Sequence, residues 1–263
     1  MIRLVATDID GTLVKDSSPK VYKEMIDVIK KLTKKGIIFV VASGRTYDSI
    51  KNMFREVEED IVYVAENGAH INYKGKNLLI TEMEKQHTSN IIKQMRYYRD
   101  TCDFVVSTPT GSILETKNEE FIALIRDGYH NKYKVVEDVL KLEQPIIKVA
   151  LYQKKSIRVL GEDILIPAWK NKVKTCMAGE EWVDFMDSKV DKGNALLFLQ
   201  DFFGVKKEET MAFGDNSNDI GLMKAAGESY AVENAREEVK DQAKYVCMSY
   251  HNKGVYQILK ELL

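Results

Sequence analysis

Ile37-Ile38-Phe39-Val40-Val41-Ala42 is an unbroken apolar run rich in β-branched residues. A strand of this kind leaves no face for water, so it must lie in a sheet covered on both sides. Its neighbours read the same way. Leu4-Val5-Ala6 is a short apolar strand that runs into polar Asp8, and Ile61-Val62-Tyr63-Val64 is another buried strand. Between the first two, Val21, Met25, Val28, Ile29 and Leu32 recur at helical spacing, and between the second pair Tyr47, Ile50 and Phe54 do so. Ser18-Pro19 supplies an N-cap and first-turn proline for the first helix, and Gly36 closes it. Strand, helix, strand, helix, strand predicts a parallel sheet with right-handed crossovers.

The pattern changes near residue 80. A helix over His87–Arg99 is followed by a hairpin, Phe104-Val105-Val106 returning at Ile113-Leu114 through Pro109-Thr110-Gly111. A helix around Phe121, Leu124 and Ile125, a strand over Ile146–Tyr152, a helix over Ile157–Trp169 and short strands at 173–177 and 182–186 complete a mixed module. From Lys192 the alternation of helix and buried strand resumes: Ala195, Leu196, Leu199 and Phe202 line a helix, Met211-Ala212-Phe213 is a strand, and three helical stretches follow. The expected fold class is therefore α/β, a Rossmann-like parallel-sheet core with an inserted α+β module. The core is discontinuous over 1–81 and 187–263, with the insertion over 82–186.

Global properties exclude several classes. Lys+Arg count 39 and Asp+Glu 40, a net charge of −1, and residues 82–186 hold 16 basic against 16 acidic side chains. No basic face argues for nucleic acid. The longest wholly apolar run is six residues, against roughly 20 for a membrane helix. Three scattered cysteines, Cys102, Cys176 and Cys247, suit reduced thiols better than a disulfide framework. A soluble, cytoplasmic protein with a small-molecule partner is expected; the oligomeric state stays open. GxSxG, P-loop and GxGxxG patterns are missing, and His70, His87, His130 and His251 show no zinc spacing.

Three predicted strands end in reactive or phosphate-friendly residues: Asp8-Ile9-Asp10-Gly11-Thr12, Ser43-Gly44-Arg45, and Gly214-Asp215-Asn216-Ser217-Asn218-Asp219. In an open α/β sheet the carboxyl ends of the strands form the ligand site. Asp8 and Asp10, at i and i+2, can face one way from an extended chain, and two close carboxylates need a cation or a shared proton. Both solutions suit phosphoryl transfer, as does a hard-cation ligand at Asp215. A DxD that merely solvates a turn and an Asx-rich cap at 215–219 are the plainer alternatives. Ser43-Gly44 reads as a helix N-terminus open to an anion, or as a simple cap. Arg45 and Asn67 are candidates to face the cleft, or else a helix-start salt bridge and a turn amide.

Taken together, D-I-D-G-T-L (8–13), A-S-G-R (42–45), K-G-N-A-L (192–196) and G-D-N-S-N-D (214–219) resemble the four ordered motifs of the haloacid dehalogenase superfamily. Glu66-Asn67-Gly68-Ala69, A-G-E-S-Y-A-V-E-N-A (226–235) and Lys253-Gly254-Val255 resemble its Cof-type phosphatase branch. Asp187-Ser188-Lys189 departs from the Pro- and Gly-bearing approach common in relatives; of Lys189 and Lys192, the one followed by Gly-x-Ala-Leu is taken as the phosphate ligand. The resemblance implies a Mg²⁺-dependent phosphatase acting on small phosphorylated metabolites, with a large cap controlling substrate access. It implies Asp8 as nucleophile, Asp10 as general acid and base, and Mg²⁺ on the Asp8 carboxylate, the Asp10 carbonyl and Asp215. It also implies phosphate contacts from the Ile9 amide, Ser43, Gly44, Lys192 and Asn218, with Asp219 and Thr12 in support. A phosphohexomutase or other phosphotransferase uses the same Asp pair, and a non-catalytic phospho-ligand sensor is a rival from another class.

Overall fold

The computed structural model describes residues 1–16 and 18–263. Its strands are β1 (Leu4–Thr7), β2 (Ile38–Ala42), β3 (Ile61–Ala65), β4 (His70–Tyr73), β5 (Lys76–Ile80), β6 (Asp103–Thr108), β7 (Gly111–Leu114), β8 (Tyr133–Val135), β9 (Lys148–Tyr152), β10 (Lys174–Met177), β11 (Trp182–Met186), β12 (Thr210–Gly214), β13 (Glu228–Val232) and β14 (Tyr245–Cys247). They form an eight-stranded sheet, ordered β14-β13-β12-β1-β2-β3-β4-β5, and a six-stranded sheet, ordered β10-β11-β9-β6-β7-β8. The chain divides into two compact units, Met1–Leu79 with Asp191–Leu263, and Ile80–Val190.

In the first unit β14, β13, β12, β1, β2 and β3 are all parallel, and β4 turns back antiparallel on β3. β1, β3 and β12 are buried along their whole length, which is why their sequences show no polar alternation. The chain runs outward one way through β1, β2 and β3 and the other way through β12, β13 and β14, so the order reverses between β1 and β12. That reversal opens a crevice at the carboxyl ends of the strands. Thr7 pairs with both Val41 and Phe213, so the loops starting at Asp8, Ser43 and Asp215 leave the sheet at nearly one level.

The second unit has cores of its own. Phe104, Val106, Val149, Leu151, Val183 and Phe185 pack with Ile91, Ile92, Met95 and Trp169, while Val105, Leu114 and Ala150 pack with Phe121, Ile122 and Ile125. Successive strand residues thus face opposite sides. The 103–114 hairpin is antiparallel; the Val159–Trp169 helix begins with wide π-type turns before tightening at Ile166.

Several expectations need correction. The first helix starts at Lys23, not at Ser18-Pro19, and Tyr22 supplies no side-chain cap. The Ser18 hydroxyl donates to the Lys20 carbonyl, and the Ser18 carbonyl accepts from Arg45. Long-range contact overrides the local capping signal there. Ser43-Gly44 does not head a helix: the helix runs Tyr47–Met53, capped by Thr46. β4, β5, β8, β13 and β14 carry too little periodicity to stand out. Of these, β5, β8 and β14 occupy sheet edges through short or half-exposed segments. Among the described residues, no helix is long and apolar enough to cross a membrane.

Candidate active site

Ile9 sets the geometry of the first loop. Its side chain is fully buried, and its carbonyl accepts from the amides of Thr12, Leu13 and Val14, curling the chain immediately after Asp8. Gly11 sits at φ +80, and a Cβ there would lie 2.4 Å from Asp215 Oδ2. A side chain here would be strained and would strike Asp215, so glycine is what lets the two acidic loops close on each other. Thr12 Oγ1 then donates to Asp215 Oδ1 at 2.8 Å.

Lys192 is the centre of charge. It is the first residue of the helix Lys192–Phe203, whose cap is Asp191, with Oδ1 accepting from the Gly193 and Asn194 amides. The ammonium, 1% exposed, donates to Asp8 Oδ1 and to Asp219 Oδ1, each at 2.6 Å. Burial pulls its pKa down, but the carboxylates of Asp219 and Asp8 outweigh that and the net direction is up. Lys189 lies exposed instead. Asp219 has no exposed surface, and its other oxygen accepts from the amides of Asp215 and Asn216 at 3.0 and 3.1 Å. It is an anchor for Lys192 and for the turn.

One ligand atom each from Asp8, Asp215 and Asp219 lies within 4.8 Å of the others. All are hard oxygen donors of the kind Mg²⁺ takes. Since Asp219 is committed to Lys192 and two amides, Asp8 and Asp215 are the pair fitted to hold a cation. Burial, then the charges of Asp219 and Asp215, push Asp8 well above the usual carboxylate range, against the pull of Lys192. Burial and Asp219 likewise push Asp215 up to about 6. This crowding of negative charge has a thermodynamic consequence. Because Asp215 binds its proton more tightly folded than unfolded, the stability it contributes is present below the ordinary value of 3.8 and is lost as pH rises through about 6. Cation-free protein should therefore lose stability between about pH 4 and about pH 7 through this group. Asp215→Asn should flatten that slope and raise Tm at about pH 7 by at least about 2 °C, read by thermal unfolding in chelator. An unchanged slope would contradict the placement.

Asp10 takes a different partner. Arg45 Nε donates to Asp10 Oδ2 at 2.7 Å and Nη2 to Oδ1 at 2.6 Å, a two-point fork, and Nη2 also reaches the Ser18 carbonyl at 2.9 Å. Arg45, a candidate either to contact substrate in the cleft or to make a helix-start salt bridge, is paired with Asp10. Ser43 Oγ accepts from the Arg45 amide at 3.2 Å, leaving the hydroxyl proton to be donated elsewhere. Gly44 lies against the Asn67 carboxamide, and Asn218 Nδ2 donates to Asn67 Oδ1 at 2.9 Å. Asn216 and Asp219 do the capping in that turn, so the Asx-rich reading and a separate task for Asn218 are compatible.

Residues not singled out from sequence also build the site. Asn234 Nδ2 donates to the Gly11 carbonyl at 2.7 Å, and the Arg236 amide donates to the Asp215 carbonyl at 2.9 Å. The 232–236 segment therefore ties the two acidic loops together. Asp191 was legible as an N-cap one residue before Lys192; Asn234 had no local signal beyond its motif.

The chain is similar to known proteins over almost its whole length. The model of the haloacid dehalogenase-like hydrolases matches residues 5–259. A crystal structure of an Eubacterium rectale protein is 37% identical, with a TM-score of 0.90 over 100% of this chain and 99% of that one. A 5-amino-6-(5-phospho-D-ribitylamino)uracil phosphatase of Escherichia coli is 27% identical over 100% of this chain and 96% of its own. Phosphoglycolate phosphatase 1 of Saccharolobus solfataricus is 28% identical, over 100% and 96%. The chain belongs to the haloacid dehalogenase-like hydrolases, and within them it is a phosphatase acting on phosphorylated small molecules.

Proposed function

We propose that this phosphatase hydrolyses sugar phosphates or phosphorylated cofactors with Mg²⁺ bound, through a covalent phosphate on Asp8. The observation that carries the reading is the buried Lys192 ammonium, clamped between Asp8 and Asp219 at 2.6 Å on each side. A cation sealed beside a strand-end carboxylate at a sheet's switch point is what an incoming phosphoryl group needs for charge neutralisation. Two of the relatives named above are phosphatases of different compounds, a phosphoribitylaminouracil and phosphoglycolate, which supports the class and leaves the individual substrate open.

In the first half-reaction an Asp8 oxygen forms a bond to phosphorus as the ester P–O bond breaks, and Asp10 gives a proton to the departing alkoxide. In the second, Asp10 takes a proton from water, the water oxygen bonds to phosphorus, and the Asp8–phosphorus bond breaks to release orthophosphate. The Arg45 fork takes one lone pair on each Asp10 oxygen, so either transfer uses a remaining lone pair or a loosened fork. Lys192, the Ser43 hydroxyl, the Asn218 amide and the backbone at Ile9 and Gly44 orient the phosphoryl oxygens. The carboxylates of Asp8 and Asp215 and the Asp10 carbonyl would hold Mg²⁺, which would supply positive charge to offset that of the phosphoryl oxygens.

The Ile80–Val190 unit, with its own apolar cores, is assigned the choice among substrates. A cytoplasmic setting accords with three free thiols, of which burial pushes Cys176 up to about 12 and Cys247 up to about 11. The test is orthophosphate release over a panel of phosphorylated sugars and cofactors, with and without Mg²⁺. Asp215→Ala should lower Mg²⁺-dependent turnover by about 10²-fold, the scale for losing one charge contact in the transition state. Near-normal turnover in that variant would remove Asp215 from the metal site.

A further inference from the structure

The turn after β3 is under conformational strain. Glu66, Asn67 and Gly68 have φ of 50°, 57° and 107° in succession; asparagine and glycine tolerate this region, whereas Glu66 is a residue that avoids it. Such turns persist where the surroundings over-determine them, and they concentrate at functional sites. Here the main chain is pinned to the second motif: the Glu66 amide donates to the Arg45 carbonyl and the Asn67 amide to the Ser43 carbonyl, each at 2.9 Å. Gly68 abuts the third motif, since a Cβ on it would lie 2.6 Å from the carbonyl oxygen of Asp191, the cap before Lys192. The Asn67 side chain, 7% exposed, reaches the fourth through Asn218 at 2.9 Å.

We infer that Asn67 is a positioning residue for phosphate binding, acting through the carboxamide of Asn218. A primary amide carries two N–H donors and one acceptor oxygen. With one Asn218 N–H spent on Asn67 Oδ1, the second is directed elsewhere along a fixed line. With the Asn67 amide held as it is, rotating the Asn218 amide by half a turn would bring its oxygen against the Asn67 oxygen, acceptor to acceptor, so the pairing opposes the flip. Asn67 thereby selects the rotamer that offers a donor to the phosphoryl group, and its main chain holds Ser43 level with it. This rests on the proposed phosphate contact of Asn218.

A double-variant cycle separates the two claims. Asn67→Gly keeps the positive φ, which glycine adopts freely, and deletes the acceptor. The readouts are kcat/KM with nitrophenyl phosphate and the inhibition constant of orthophosphate. Asn218→Ala should cost about 30-fold in kcat/KM and Asn67→Gly about 10-fold, with the double variant within about 2-fold of Asn218→Ala alone. Orthophosphate inhibition should weaken in parallel. A structural role, or a direct contact to substrate, makes the two losses multiply to about 300-fold; that result, or wild-type behaviour of Asn67→Gly, overturns the inference. An Asn218→Ala enzyme with wild-type kinetics overturns the phosphate contact itself, and the inference with it.

Discussion

Asp8→Asn is expected to form no phosphoenzyme with any substrate and to lose at least about 10⁴-fold in turnover, the order reached when a covalent nucleophile is removed. The amide keeps the size of the carboxyl group and can still accept from Lys192, but it has no anionic oxygen to bond to phosphorus. Folding should survive. Asp8 is 5% exposed and its pKa is raised by burial and by the charges of Asp219 and Asp215, so replacing it with a neutral isostere removes an unfavourable buried charge. Lys192 retains Asp219 at 2.6 Å. Acid-quench trapping of labelled phosphate, set beside a Tm equal to or above wild type, checks both halves. Trapped phosphoenzyme in the variant would move the nucleophile to another residue.

Asp10→Asn separates two acidic residues that lie two positions apart. The proposed roles make Asp10 the proton donor to the leaving alkoxide and then the base for water. Nitrophenolate leaves without needing a proton, so the first role becomes dispensable with nitrophenyl phosphate while the second does not. The variant should give a burst of nitrophenolate approaching one per enzyme and then turn over about 10²–10³-fold more slowly than wild type. With an alkyl phosphate both steps should be slow and the burst should vanish. Rapid-quench kinetics reads the difference directly. Steady, burst-free turnover near wild type would show that Asp10 is not the acid and base. The Arg45 fork, two bonds of 2.6 and 2.7 Å, accepts an amide poorly, because an Asn side chain turns an NH₂ toward the guanidinium. A modest fall in Tm is expected in this variant as well.

The contrast between these two residues shows how far a sequence reaches. Continuous apolar runs such as Phe39–Ala42 declare their strands because burial on both faces excludes polar side chains, a condition written residue by residue along the chain. The placement of Asp8, Ser43 and Asp215 at strand ends follows from the same runs, since a polar residue is where such a strand must stop. The alternation of strand and helix then implies a parallel sheet, and a parallel sheet collects all those ends on one edge. What tertiary structure alone decides is which side chain answers which. Lys192 bridges carboxylates 184 and 27 positions away, Arg45 grips Asp10 across 35 positions, and Asn67 meets Asn218 across 151. The first helix begins at Lys23 because Ser18 is drawn into contact with Arg45, against its own capping preference. Edge strands such as β5 and β14 form by adding backbone hydrogen bonds to a sheet already present, so their sequences need little pattern of their own. Local burial and propensity act within a few residues and leave a readable trace; partner choice depends on the loops that the sheet order makes neighbours, and no run of adjacent residues records it.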